Sequence, residues 1–273
     1  MEQRLRAEIR RFVEQHPANR YDEGSFPYFT APLVGIAAGD DPLFDEYKQI
    51  IGPFHLTPAE LFADAFGPAA APRSVIVYVL PIADPVRVSN RPETDFPSRP
   101  WSHTRTHGEA LNGELRRHLV SWFTAQGHRA LAPQFSPRWQ ELADSPVGIA
   151  STWSERHAAY AAGLGTFSLN DALITPLGIA HRLGSVITDL ELTPTPRTAI
   201  HPRWNCLYHR NGSCGACIGR CPVGALSKDG HDKARCREHV YEAIPKAVSG
   251  IYGVRATGCG LCQTRVPCEG KIP

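Results

Sequence analysis

The residues best equipped for chemistry are eight cysteines, and all of them lie between residue 206 and the C-terminus: Cys206, Cys214, Cys217, Cys221, Cys236, Cys259, Cys262 and Cys268. In the stretch NGSCGACIGRCPVGAL (211–226), Cys214, Cys217 and Cys221, with Pro222 behind them, match the end of the iron-sulfur run C-x2-C-x2-C-x3-C-P. Asn211 stands where that run should begin. Such spacing wraps one four-iron cluster in a tight loop and turns the last cysteine toward another, and two clusters require eight thiolates. Zinc is the competing chemistry, because two C-x2-C pairs make a four-thiolate site. Eight thiolates would then need two ions, and Cys221-Pro222 followed by Val223-Gly224-Ala225 has the form of a ferredoxin helix entry rather than a zinc knuckle.

Two further constellations lie upstream. In WSHTRTHGEALN (101–112), His103 and His107 are four apart and share a face on a helix, with Arg105 and Glu109 nearby. They fit a solvated helix start, a contact to a cofactor or substrate, or a metal site whose third ligand the sequence does not identify. Tyr160, His157 and Asn170 flank the turn Gly163-Leu164-Gly165. There the missing side chains either let a large planar cofactor approach the backbone or simply cap a helix. The turn lacks the G-x-G-x-x-G pattern, so a nicotinamide site has no support.

These residues need elements to position them. Leu5, Ile9, Phe12 and Val13 mark an amphipathic N-terminal helix without the unbroken apolar core of a secretory signal. Thr57-Pro58-Ala59-Glu60 has the form of a capping box and starts a helix through about Phe66. SVIVYVLP (74–81) reads as a buried strand. The proline-rich segment from Asp84 to Pro100 reads as a long ordered loop or lid. Helices are expected from about Thr106 to Gln126, closed by Gly127, and from about Thr152 to Ala162. Strands are expected near Ala172 to Ile174 and from Leu183 to Leu192, and the alternation points to an α/β layer. LTPTPRTAIHP (192–202) breaks regular structure, so a boundary near residue 198 separates a first domain, 1–198, from a cysteine-bearing one, 199–273.

Bulk properties exclude little. The 273 residues allow one large domain or two ordinary ones, and a net charge of +2 shows no basic excess of the kind that binds nucleic acid. The longest apolar run, Val75 to Leu80, is far shorter than the ~20 residues that cross a bilayer. A cytoplasmic protein without a membrane partner is expected, and cytosolic thiols stay reduced rather than pairing as disulfides.

The order Cys-Gly-Ala-Cys, Cys-Pro, an isolated Cys236 after Asp232-Lys233-Ala234-Arg235, then Tyr252-Gly253 and Cys-Gly-Leu-Cys-Gln resembles the epoxyqueuosine reductases and their corrinoid-dependent relatives, reductive dehalogenases included. Glu155-Arg156, the turn Ala161 to Gly165, and Leu183-Gly184 leading to Asp189-Leu190 are similar to the family's segment beside the corrinoid. The likeness covers roughly residues 101 to 268. It implies an α+β or α/β fold in which a nitroreductase-like, corrinoid-binding layer domain precedes a small ferredoxin-like domain with two 4Fe-4S clusters. Position by position, it implies one cluster on Cys214, Cys217 and Cys268 and another on Cys221, Cys236, Cys259 and Cys262. Cys206, otherwise without a role, is the candidate for the corner where Asn211 replaces a ligand. The run from Cys262 to Cys268 is two residues longer than the family's C-x3-C, with Pro267 before the cysteine, so both displaced ligands fall on one cluster.

The resemblance further implies a cobalamin at the junction of the two domains, a low-potential electron donor of ferredoxin or flavodoxin type, and a small-molecule or nucleoside-type substrate. The family's acidic proton donor would fall on Ile149, which carries no proton. Asp144, the nearest carboxylate on that side, is therefore a catalytic candidate together with His103, Arg105 and His107. Tyr160, Gly163, Gly165 and Asn170 are candidate cofactor contacts. Only Glu269 to Pro273 follow Cys268, without the helical region with which many of these enzymes help hold transfer RNA, so a tRNA substrate is expected less than a small one. Two other roles fit the same residues: a ferredoxin-like electron carrier or activating reductase for a corrinoid or flavin partner protein, and an FMN enzyme on the same nitroreductase-like layer.

Overall fold

The computed structural model describes residues 1–23, 25–255 and 257–273. The first part runs α1 (Glu2–Gln15), β1 (Leu33–Ala38), α2 (Leu43–Ile50), α3 (Pro58–Phe66), β2 (Ser74–Pro81), α4 (Asp84–Asn90), α5 (Arg99–His103), α6 (Glu109–Thr124), β3 (Ala130–Leu131), β4 (Glu141–Leu142), β5 (Ala150–Ser151), α7 (Glu155–Ala161), β6 (Thr166–Phe167), β7 (Leu173–Ile174) and β8 (His181–Thr188). The cysteine-bearing part follows with α8 (Leu207–Asn211), α9 (Ala216–Gly219), β9 (Leu226–Ser227), β10 (Gly230–His231), α10 (Lys233–Glu238) and α11 (Ile244–Tyr252).

Every residue of β2 is buried, which explains its uninterrupted apolar sequence. The strand lies inside a sheet of order β1-β2-β8-β3, covered on both faces. Side chains alternate along it, so Ile76, Tyr78 and Leu80 pack with Leu5 and Ile9 of α1 and Leu111 and Leu115 of α6. Val75, Val77 and Val79 face the other way, toward Phe44 of α2, Phe62 of α3 and Ala158 of α7. Tyr78 pairs in register with Gly184 of β8, where an added Cβ would lie 2.3 Å from the phenol oxygen. The phenol passes over that glycine to donate to Asn112 Oδ1 at 2.9 Å.

All pairings in this sheet are antiparallel, so the fold is α+β. The helix–strand alternation that points to an α/β layer arises here from connections that bring neighbouring strands back in the opposite sense. A second correction concerns Asp84 to Pro100, which is not a lid. It holds α4 and the start of α5, and Asn90 pins it from within. The Asn90 Oδ1 accepts from Ser98 N at 2.8 Å, while its Nδ2 donates to Thr264 Oγ1 of the cysteine-bearing part at 3.2 Å.

The two parts are sewn together by polar groups at their seam. Arg220 donates to the carbonyls of Leu261 (3.2 Å) and Thr264 (3.1 Å) in its own part and of Glu93 (2.8 Å) and Asn90 (3.3 Å) in the first. Glu269, 6% exposed, accepts from Arg91 Nε at 3.0 Å and Arg91 Nη2 at 2.8 Å. The stretch between β8 and α8 has no regular element, as its prolines predict, and Thr195 bonds both the N–H (3.0 Å) and the carbonyl (2.8 Å) of Ile36 on β1. Among the described residues no helix is long and apolar enough to cross a membrane.

The predicted capping box is present, with Glu60 N to Thr57 Oγ1 at 3.2 Å and Thr57 N to Glu60 Oε2 at 2.8 Å. Thr57→Ala leaves an N–H of the first turn without its acceptor and is expected to cost ~1 kcal/mol, read as a lower urea midpoint at an unchanged slope.

Candidate functional site

The cysteines form two groups of four. Cys206, Cys214, Cys217 and Cys268 line a small cavity of about 20 Å³ whose other walls include Leu169, Ile174, Ile179 and Val266. Burial pushes the Cys217 thiol up to about 11, with Cys206 and Cys214 adding to the rise. Cys268 is pushed up to about 12 by burial and then by Cys217, Cys206 and Cys214. Local structure explains how Cys206 joins them. It immediately precedes α8, whose turn ends at the left-handed Gly212 (φ 72°), and the chain folds back toward Cys214. Asn211 closes its own turn instead, accepting from Ser213 N at 3.1 Å and Ser213 Oγ at 2.7 Å.

Cys221, Cys236, Cys259 and Cys262 lie on the wall of a larger cavity, about 390 Å³, between the two parts. Burial raises Cys259 to about 12, with Cys236 and Cys221 adding. Cys262 is raised by burial, by Cys259 and Cys236, and by Cys217 from the other group, so the two groups adjoin. Among the described residues, no three or more His, Cys, Asp or Glu are gathered as a single-ion site would require. Gly260, at φ 70°, permits the close fit of the first part: a Cβ there would lie 2.0 Å from the Trp101 ring.

The first part gives this cavity a charged wall. Arg182 reaches it, held by Glu109 (Nε to Oε2, 2.8 Å), and Glu109 also accepts from Arg116 Nη1 at 3.1 Å. Arg116 is 3% exposed and continues the network to Glu155 Oε1 at 3.3 Å and to the Leu183 carbonyl at 3.0 Å. Burial alone would raise Glu109; Arg182 and Arg116 outweigh it and hold the carboxyl down to about 2. Arg156 Nη1 donates to the Asp171 carbonyl at 2.8 Å, and Asp171 Oδ2 meets His231 Nδ1 at 3.1 Å. Burial pushes His181 down to about 4, so its ring is neutral. Its Nε2–H donates to the Leu173 carbonyl at 2.8 Å, which leaves Nδ1 as a buried acceptor without a partner.

The second part answers from α10. Lys233 Nζ donates to the Val147 carbonyl at 2.7 Å, Arg237 pairs with Glu141, and the same helix carries Cys236. Of the residues singled out in the sequence, Arg105, Arg156 and Asn170 lie on the cavity wall, and Asn170 Nδ2 donates to the Cys262 carbonyl at 3.0 Å. Ile149 lines the same wall.

The other candidates stand outside both cavities. An added Cβ on Gly163 would lie 2.8 Å from the Pro196 carbonyl oxygen, and one on Gly165 2.4 Å from that of Ile174, so this turn faces packed backbone rather than a cofactor. Tyr160 packs on Phe167, ring centroids 5.7 Å apart. His103 Nε2 meets the Tyr252 carbonyl at 2.8 Å, His107 is exposed against Tyr28, and Asp144 is exposed between β4 and β5. Sequence reasoning missed Asp171, His181 and Arg182 as wall residues. It also missed Lys233 and Arg237, although both flank Cys236 within one helical turn.

Comparison with known proteins bears on the fold. No family model matches the chain. It is 31% identical over 119 residues to an epoxyqueuosine reductase of Bacillus anthracis, covering 42% of this chain and 29% of that protein. It is 30% identical over 182 residues to an epoxyqueuosine reductase of Gloeobacter violaceus, covering 61% of this chain and 53% of the relative. The solved epoxyqueuosine reductase of Streptococcus thermophilus superimposes with a TM-score of 0.54 at 16% identity, over 97% of this chain and 66% of that one. The chain has the epoxyqueuosine reductase fold. A solved complex of such a reductase with an epoxyqueuosine-modified tRNA stem loop shares it, with a TM-score of 0.50, 19% identity and coverage of 98% of this chain and 66% of that one. A catabolic reductive dehalogenase does so as well, with a TM-score of 0.50, 16% identity and coverage of 88% of this chain and 30% of that one. The chain thus spans about half or less of the length of the curated relatives it matches.

Glu109 leaves an acid-side signature. A depressed carboxylate pKa contributes stability that is present above its unfolded value, near 4.5, and is lost as pH falls toward about 2. Urea unfolding followed by tryptophan fluorescence at a series of acidic pH values is expected to show this loss in the wild type. Glu109→Gln should be less stable near neutrality and show a shallower acid limb.

Proposed function

We propose that this chain is an iron-sulfur oxidoreductase of the epoxyqueuosine reductase type, acting on a small or nucleoside-type substrate. Cys206, Cys214, Cys217 and Cys268 would hold one 4Fe-4S cluster, and Cys221, Cys236, Cys259 and Cys262 the other. The observation that carries this reading is the arrangement of eight thiols in two adjoining groups of four, one of them forming the wall of a cavity of ligand size. A relay protein that only passes electrons to a partner has no use for such a cavity.

The residues present fit a cobalamin-type cofactor beside the second group. The cavity is lined partly by Trp101, Ile82 and Leu226, offers Arg105 and Asn170 as polar contacts, and borders the cysteines directly. When bound, the cofactor supplies a reducing centre, and the clusters supply one-electron carriers fed by a low-potential donor of ferredoxin or flavodoxin type. The chain's own residues set the conditions around it. Trp101 and Ile149 exclude water from their side of the cavity. Ile149 carries no proton, so protonation of a reduced substrate falls to another wall group; Glu141 and Asp171 are ionised in pairs with Arg237 and His231, and His231, raised to about 9 chiefly by its bond to Asp171, is the wall group that holds a proton. Arg220 places a positive charge beside Cys259 and Cys262, where it favours the reduced, more negative state of a cluster.

Anaerobic preparation with added cobalamin tests the reading. About eight iron atoms per chain and a bound corrinoid absorbance are expected. A protein with both clusters and no affinity for corrinoid would sink it, and flavin released on denaturation would transfer the role to FMN. Retention of the tRNA stem loop that the solved relative holds would extend the substrate to tRNA. Cys206→Ala is expected to lower iron to about four atoms per chain and to remove one of the two paramagnetic signals. Arg220→Gln is expected to lower the midpoint potential of one cluster and leave the other in place, with Arg220→Lys restoring part of the difference in an anaerobic redox titration.

A further inference from the structure

The acidic residues of the chain avoid one stretch of it. There are 27 Asp and Glu in all, yet none falls between Glu191 and Asp229, where Arg197, Arg203, Arg210, Arg220 and Lys228 stand. Arg197 pairs with Asp41, and Arg220 lies at the seam. Among the described residues Arg203 and Arg210 pair with no carboxylate: Arg203 Nη1 meets His209 Nε2 at 3.0 Å, and Arg210 lies over the Trp204 ring at 5.7 Å and donates to the Pro273 carbonyl at 3.4 Å. His201 packs edge-on against the same indole, ring centroids 5.5 Å apart. Trp204 is half-buried, and Ile200 beside His201 is 76% exposed. Aromatic and apolar surface joined to arginine is the composition of a protein–protein interface.

This face covers the Cys206 group. Arg210 N donates to the Cys206 carbonyl at 2.8 Å, and Cys206 N to that of Arg203 at 3.1 Å. What acts most on Cys217 and Cys268 is burial and the neighbouring thiols, not these arginines. Burial, then Arg203 and His201, lower the pKa of His209; Asp171 opposes them and is itself engaged by His231 at 3.1 Å. The adjoining loop is bare. An added Cβ on Gly219 would meet nothing within 4 Å, and one on Gly215 only Ile218 Cδ1 at 3.6 Å. Neither glycine has a left-handed φ, so the chain's own packing requires neither, and both leave backbone beside Cys214 and Cys217 open to close approach from outside. Electron transfer weakens steeply with distance, and the Cys206 group does not line the junction cavity but adjoins the group that does.

We propose that the face formed by His201, Arg203, Trp204, His209 and Arg210 docks an acidic one-electron carrier protein, and that electrons enter the chain there. This deepens the function proposed above: it rests on that reading for the clusters and adds the place where their donor binds. Each transfer from a flavodoxin takes its hydroquinone to the semiquinone and reduces one oxidised cluster by one electron. Opposite charges steer such an encounter and quicken it more than they tighten it. A nucleic acid is an anion too, but its reacting base belongs at the cavity, and two unpaired arginines offer it few phosphate contacts.

The test follows cluster reduction by stopped-flow absorbance after anaerobic mixing of iron-loaded protein with reduced flavodoxin or, separately, with reduced methyl viologen, a small carrier that needs no docking face. The double variant Arg203→Gln, Arg210→Gln, the steric variant Gly219→Tyr and the surface control Arg20→Gln are compared with the wild type. Reduction by flavodoxin is expected to slow as salt is raised and to fall about tenfold or more in the double variant and in Gly219→Tyr, while the viologen reduces all four proteins alike and so reports intact clusters. Failure of flavodoxin to reduce the wild type, equal flavodoxin rates in the wild type and the double variant, or a rate indifferent to salt overturns the docking face and leaves the clusters standing. A chain that binds no iron sinks the cluster reading, and the entry site with it. If a tRNA stem loop binds the wild type and the double variant loses it while keeping its flavodoxin rate, the face is a nucleic-acid surface and the proposal falls.

Discussion

Arg220 bridges the two parts with one planar group. Its guanidinium bonds carbonyl oxygens on both sides of the junction, those of Asn90 and Glu93 on one and of Leu261 and Thr264 on the other. Backbone acceptors buried at an interface cost free energy unless a donor reaches them. A residue with five N–H donors in a fixed fork meets several such demands at once and fixes distances in doing so. The cavity exists because that seam holds: Trp101 and Arg105 come from one side of it, Cys259 and Cys262 from the other. Glu269, clasped by Arg91, secures the same seam close to Cys268.

What could be read from the sequence was local. The capping box at Thr57, the two-sided burial of β2 and the irregular stretch from 192 each depend on residues within a few positions of one another, and the structure shows all three. The sense of strand pairing did not show, because it is decided between Ser74–Pro81 and His181–Thr188, far apart in the chain. For the same reason the wall residues Asp171, Arg182 and Lys233 carry no common signature. His103 and His107 do lie side by side, ring centroids 5.4 Å apart, as their spacing predicts. The stretch Thr104–Gly108 is a π-helical turn, so helical spacing does not place those rings beside Arg105 on the cavity. The glycine turn at Gly163 and Gly165 was correctly seen as a close approach, but what approaches is the chain's own backbone.

The cysteine pattern was more legible, since a close pair of thiols constrains its own loop. Its two irregularities also share a location. Cys206 reaches its group through an extra turn of helix, and Cys268 through a longer run containing Pro267, and both line the same small, mostly apolar cavity. Rerouting two corners while keeping four thiols together preserves the count of ligands and alters the backbone N–H groups around them, which are the neighbours that tune a thiolate-bound centre.

Helix α10 carries Cys236 in its middle, with Lys233 and Arg237 on either side touching the strand and loop that frame the cavity from the other part. The helix does not stop at Glu238: it continues through the π-helical turn His239–Ala243 into α11 and ends at Tyr252, with Asp232 capping its start. One thiol of the cavity wall and two of its cations therefore ride on a single rod, and any displacement of that rod would change the chemistry and the charge of the wall together.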